Sequence, residues 1–195
     1  MPTDLATVWC DYYNIMKTYA GIGSRKAPEE ILSICTKIGS YLGFSYVLRS
    51  GGAVGCDSAF EMGCDIVNGL KEIYLPWSGF NNKSSKFIRP TTEAISIASS
   101  LSKNWSGMKP QTKWLFARNV HQILGIDCNS PSDFVVFWSK PEVTESRPHG
   151  CIVGGTGFAI KIADKFKVPH YNLFDQDQAL KLKIILEKEL PKTKH

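Results

Sequence analysis

The sequence predicts an α/β fold in which a doubly wound, mostly parallel sheet of five or more strands carries helices on both faces. Strand-like runs alternate with helical periodicities along the chain, a pattern that demands right-handed crossovers between parallel strands. One run, DFVVFWS at 133–139, is almost wholly apolar, as expected of a strand covered on both faces. Glycine turns, GSR at 23–25, SGGAVG at 50–55 and GGTG at 154–157, fall at strand ends or just before a helix.

Leu5, Val8, Tyr12 and Ile15 or Met16 recur at helical spacing, predicting a short amphipathic extension within residues 1–17. TYAGI (18–22) is the first strand. Pro28 suits a first helical turn, and Glu29 and Glu30 complement the helix dipole. Ile31, Ile34, Cys35, Ile38 and Leu42 then mark a buried face up to Gly43. YVLRS (46–50) is the second strand, and a helix follows its turn from Asp57 to Val67, ended by Gly69. EIYLP (72–76) is the third strand; the polar loop after it holds Trp77, Phe80, Lys83, Lys86 and Arg89.

Helical patterns near 92–102 and 111–124 flank NWSGMKP, and the apolar fourth strand follows at 133–139. KPEVTESRPHG (140–150) reads as a charged, mobile loop. The next helix, after the GGTG turn, should turn Phe158, Ile162, Ala163 and Phe166 inward. VPHYNLF (168–174) is the fifth strand, and a helix near Ala179–Leu190 with a basic tail closes the chain. With no internal repeat or linker, residues 1–195 read as one domain: an extension (1–17), a core (18–175), and a final helix and tail (176–195).

A hydrophobic content of 43% suffices for a core. The formal charge of +5, from 23 basic and 18 acidic side chains, favours an anionic ligand but is not concentrated in a dense basic stripe. Six cysteines without a C-x-x-C pair read as reduced thiols of an intracellular protein. The histidines form no H-E-x-x-H pattern, so no metal is expected. No apolar stretch approaches the ~20 residues of a membrane span, and the expectation is a cytoplasmic protein without membrane contact.

Ligands of such sheets bind beyond the carboxyl ends of the strands, where the glycine turns converge. Backbone N–H groups and helix N-termini there suit an anion, above all phosphate. The alternative is that tight connections require glycine whatever binds. Neither GIGSRK nor GGAVGC completes G-x-G-x-x-G, and the second strand ends in Arg49 and Ser50 with no acid for a ribose. The Walker pattern G-x-x-x-x-G-K-[ST] is also missing.

AGIGSRKAP, LRSGGAVGCDSAFEMG, YLPWSGFN, LFARNVHQILG and GGTGFAIKIADKFKVPHYNL, in that order, resemble the SLOG superfamily of Rossmann-like nucleotide-binding domains. The likeness, over roughly residues 18–175, is nearest to the DNA-processing protein A (Smf/DprA) branch and the related YspA/YpsA-type domains, standalone versions of which are common in phages. It implies a phosphorylated ligand among the turns. Gly23, Ser24 and Arg25 would form one phosphate-contacting loop, and Ser50, Gly51, Gly52, Gly55 and Asp57 a second. Arg118 and Asn119 would form the flank, and Gly154, Gly155 and Thr156 the last contact.

The side-chain chemistry agrees. Arg25 or Arg118 can fork onto phosphate oxygens, and Ser24, Ser50 and Thr156 supply hydroxyl donors. Trp77 and Trp138 either stack a base or belong to the core. Asp57 either caps its helix or serves the ligand, and Glu61, one turn on, either faces the site or pairs with a basic neighbour.

The leading expectation is a protein that binds a phosphorylated nucleotide or nucleotide-derived signal, cyclic or ADP-ribose types included, as a sensor or sequestering protein without catalytic residues or cofactor. The alternative, implied by the DNA-processing likeness, is single-stranded DNA binding in recombination. A second alternative is nucleotide N-glycosidic cleavage, as in the "Lonely guy" phosphoribohydrolases. Their P-G-G-x-G-T-x-x-E signature meets VGGTGFAIK here, without the glutamate. A homo-oligomer is expected because dimers are common in the superfamily.

Overall fold

The computed structural model describes residues 16–189; the expected N-terminal helix and the basic tail lie outside the described residues. The main sheet is built from β1 (Lys17–Gly23), β2 (Tyr46–Ser50), β3 (Lys71–Leu75), β4 (Phe87–Ile88), β5 (Phe134–Trp138) and β8 (His170–Asn172). Its order is β4-β3-β2-β1-β5-β8, and every pairing is parallel. The helices are α1 (Glu29–Leu42), α2 (Cys56–Ile66), α3 (Thr92–Leu101), α4 (Pro110–Leu124), α5 (Gly154–Lys165) and α6 (Gln176–Glu189). The chain works outward from β1 to β4 and then returns to the other side of β1 with β5. Strand order therefore reverses between β1 and β5, the place where a crevice opens in open α/β sheets.

The period-two alternation of the central strands sorts their side chains between two cores. Ala20, Ile22, Val135 and Phe137 face one side, where they meet Ala94 and Ala98 of α3, Val120 and Ile123 of α4, and Phe158 and Ile162 of α5. Tyr19, Leu48, Phe134 and Val136 face the other, against Cys35 and Leu42 of α1, Phe60 and Cys64 of α2, and Leu182 and Leu186 of α6. The fully apolar fourth run is explained by this two-sided burial.

α1 and α2 meet without an intervening side-chain layer. A Cβ on Gly39 would sit 2.4 Å from the Phe60 carbonyl oxygen, and one on Gly63 would sit 2.0 Å from that of Thr36. On the opposite face, buried His121 ties α4 to the start of α3. Its Nε2 accepts from the Thr91 N–H at 3.1 Å, which leaves Nδ1–H to donate to the Gly125 carbonyl at 2.9 Å. Burial lowers the pKa of this imidazole, in keeping with the neutral form.

Several expectations are corrected. The supposed mobile loop at 140–150 contains an antiparallel hairpin, β6 (Glu142–Thr144) and β7 (Arg147–Cys151), in which Thr144 pairs with Arg147 around a tight turn. Its strands are exposed, so no apolar alternation announces them. β4, only two residues long, lies in the segment read as a polar loop. Phe166 is exposed just past the end of α5, and Ile34 on α1 is exposed too. α2 begins after Gly55, so Asp57 does not cap it. The described cysteines, by contrast, are unpaired, in line with the reduced thiols expected.

Alanine at Gly63 is favoured by helix propensity by about 1 kcal/mol, yet the collision with the α1 backbone should dominate. Gly63→Ala is expected to destabilise the chain by about 1–3 kcal/mol, the usual range for overpacking. Urea unfolding would measure it, and a gain in stability would refute the close helix contact.

Candidate functional site

At the reversal between β1 and β5 lies a cavity of about 770 Å³. The end of β1 and the loop after it supply Gly23, Ser24, Arg25 and Lys26, and the end of β5 and its continuation supply Trp138, Ser139, Lys140 and Glu142. α4 contributes Arg118, Asn119 and Gln122, the opening turn of α5 contributes Gly154, Gly155 and Thr156, and Asp57 reaches in from α2. Arg25 and Lys26 are exposed at the rim, whereas Arg118, Asn119 and Asp57 are buried.

The floor is an internal ion pair. Arg118 Nη1 lies 3.5 Å from Asp57 Oδ2 and 3.1 Å from Gln122 Oε1. The same Asp57 oxygen accepts the Gly51 N–H at 3.1 Å and lies 3.5 Å from Gln122 Nε2. Gly51 is required for space: a Cβ there would fall 1.0 Å from Arg118 Nη1. The guanidinium carbon also sits 5.8 Å from the Phe80 ring centroid.

Arg118 Nε is buried and has no hydrogen-bond partner among the described residues. A buried, unsatisfied donor on a charged group is costly, and an anionic ligand would supply its acceptor. Burial pushes the Asp57 carboxyl above the usual carboxylate range; the Arg118 charge opposes that rise and the Glu61 charge adds to it. Burial likewise lowers the Arg118 pKa, against the attraction of Asp57.

Behind this floor the glycine turn is locked. At Gly55, φ is +85°, and a Cβ would meet the Ser24 carbonyl oxygen at 2.4 Å; that carbonyl accepts the Cys56 N–H at 3.2 Å. The Ser24 N–H donates to the Trp138 carbonyl at 2.9 Å, so β5 fixes the loop after β1. Ser24 Oγ accepts from the Lys26 N–H at 3.0 Å. Asn119 Nδ2 donates to the Gly155 carbonyl at 2.9 Å and so joins α4 to the first turn of α5.

The remaining residues singled out in the sequence do not line the cavity. Ser50 Oγ donates to Glu61 Oε1 at 3.1 Å, and Glu61 also pairs with Lys83. Gly52 holds the loop after β3 through its carbonyl, which accepts from Asn81 Nδ2 at 2.8 Å. Trp77 packs edge-on to Phe80, with centroids 5.1 Å apart, away from the cavity. Trp138 does line it.

Sequence reasoning missed Lys26, Gln122, Ser139, Lys140 and Glu142. Gln122 was within reach, since it falls one helical turn after Arg118 and shares its face. Lys140 and Glu142 are placed by the stretch that read as a loop. Among the described residues, no group of three or more His, Cys, Asp or Glu side chains is arranged to hold a metal, and no helix is long and apolar enough to cross a membrane.

No protein-family model matches the chain, and no curated protein matches it. Among solved structures it is similar to DNA processing protein A from Streptococcus pneumoniae, with TM-score 0.53 and 17% identity over 90% of this chain. The match spans 58% of that chain. It is also similar to DNA processing protein A from Helicobacter pylori, in a structure addressing that protein's single-stranded DNA binding mode. There the TM-score is 0.51 and the identity 17%, over 91% of this chain and 75% of the other. At this identity the likeness establishes the shared α/β, Rossmann-like fold.

Because its pKa is raised in the folded state, Asp57 contributes stability that is complete below the unfolded carboxylate range and is lost as pH rises through the folded value. Arg118→Met removes the opposing charge and should raise the Asp57 pKa further, extending that loss to higher pH. Carboxyl-detected NMR titration checks this, and a lowered value would contradict the pairing. Gly51→Ala should displace the guanidinium and reproduce the effect. Each change is expected to destabilise by about 3–5 kcal/mol, as for a broken buried pair, and the double variant by less than the sum.

Proposed function

We propose that the cleft binds a nucleotide unit of single-stranded DNA, with a phosphate at Arg118 and a base against Trp138. The observation that carries the reading is the buried Arg118 side chain at the cavity, its Nε–H lacking an acceptor among the described residues. The exposed Arg25 and Lys26 and the neighbouring Lys140 add positive charge for flanking phosphates. The shared fold with DNA processing protein A, one structure of which concerns single-stranded DNA binding, supports the strand over a free nucleotide. The sequence resemblance to the SLOG domains supports the same edge of the sheet. In this reading Gly154, Gly155 and Thr156 offer the first-turn amides of α5, which no side chain caps.

A second reading, in which a free phosphorylated nucleotide or a signal derived from one is bound, is favoured by the cavity of about 770 Å³. That is within the range of about 300–1,000 Å³ usual for small-molecule sites. For N-glycosidic cleavage, Asp57 and Glu61 are poor candidates, since both carboxylates are engaged by cationic side chains. The whole chain is proposed to act as one domain, in the cytoplasm and as a homo-oligomer.

Fluorescence anisotropy with labelled oligothymidylate tests the proposal. Arg118→Lys keeps a charge for Asp57 but loses the fork, and should weaken binding by about 2 kcal/mol, the lower end for a broken buried charge contact. Arg25→Ala should reduce the slope of log K against log salt by about 0.7, the single-strand value for one phosphate. Absence of oligonucleotide binding together with tight binding of ADP-ribose or a cyclic dinucleotide would establish the second reading instead.

A further inference from the structure

Because all six strands of the main sheet run parallel, the segments following them emerge on one edge. The cavity uses only the part of that edge near β1 and β5. Farther out, Trp77 follows β3 and Arg89 follows β4, and both sit beside Trp114 on α4, one helical turn before Arg118. The ring centroids of Trp77 and Trp114 are 6.4 Å apart, and the Arg89 guanidinium lies 5.6 Å from the Trp114 centroid.

Phe80 joins this group to the cavity. It lies 5.1 Å from Trp77 on one side and 5.8 Å from the Arg118 guanidinium on the other. The result is a continuous file of cation, three aromatic rings and cation. Trp77 and Trp114 are half-buried and Arg89 is exposed; Arg89 forms no ion pair among the described residues.

Resting on the single-strand reading above, we propose that Trp77, Trp114 and Arg89 form a second binding platform on which the same DNA strand continues beyond the cavity. From β5 to β4 the edge spans about 19 Å, at ~4.8 Å per strand interval, room for more than one nucleotide. Aromatic faces accept any base by stacking, and an unpaired guanidinium neutralises a phosphate. The platform therefore adds affinity with strand length and little sequence preference.

The test compares oligothymidylates of about 4 and about 12 nucleotides, lengths within the range of single-strand sites, against wild type, Trp114→Leu and Arg89→Ala. In wild type the longer strand should bind about a hundredfold tighter, beyond the roughly tenfold that its extra registers alone supply, and quench tryptophan fluorescence. Trp114→Leu should cut that gain to about the tenfold of the extra registers while leaving the shorter strand's affinity unchanged. Arg89→Ala, at an exposed side chain, reports even if the tryptophan variant fails to fold: it should lower the salt slope for the longer strand by about 0.7 and leave the shorter strand's slope alone. A length gain and salt slopes unaltered in the variants would overturn the platform and spare the cavity. If wild type binds neither strand, the single-strand reading falls and the platform with it.

Discussion

The buried pair of Asp57 and Arg118 joins the two halves of the molecule. Asp57 belongs to α2, packed on one face of the sheet, and Arg118 to α4, packed on the other. They meet over the carboxyl end of β2, with the Gly51 backbone against both. Two charges at 5% and 6% side-chain exposure are stabilising only if their partners are fixed, and here the partners come from a turn, two helices and the glutamine one turn along. The position of each element at this edge is thereby tied to the others.

This arrangement gives the glycine turn a structural role. The amide of Gly51 is occupied by a carboxylate of the chain itself, and the missing side chain makes room for a guanidinium. The donor capacity that remains is on the far side of Arg118 and along the rim, where Arg25, Lys26 and the start of α5 lie. The turn thus acts by holding Arg118 in place.

Where burial is two-sided or amphipathic, the sequence was readable. FVVFW became the strand beside β1, and YVLRS the fully buried β2, because their patterns reflect packing directly. Part of the cavity wall was legible for a related reason: turns after parallel strands must share an edge, which brings Ser24, Arg25 and Thr156 together, whereas Asp57 and Arg118, both on helices, were named through the family resemblance. What escaped depends on long-range pairing. Glu61 does pair with a basic side chain, one of its two readings, but nothing local announces that the partner is Lys83, that Ser50 donates to the same carboxylate, or that Trp77 leans toward Phe80 and Trp114. The hairpin at 142–151 escaped because both of its faces are exposed, so its residues carry no burial signature.

The direct backbone contact between α1 and α2 has a mechanical consequence. Helices separated by side chains can slide as rotamers change, but a peptide group resting on a glycine has nothing to rearrange. The position of Asp57 at the head of α2 is therefore coupled to that of α1 through backbone contact, with no flexible side chain in between to absorb a shift.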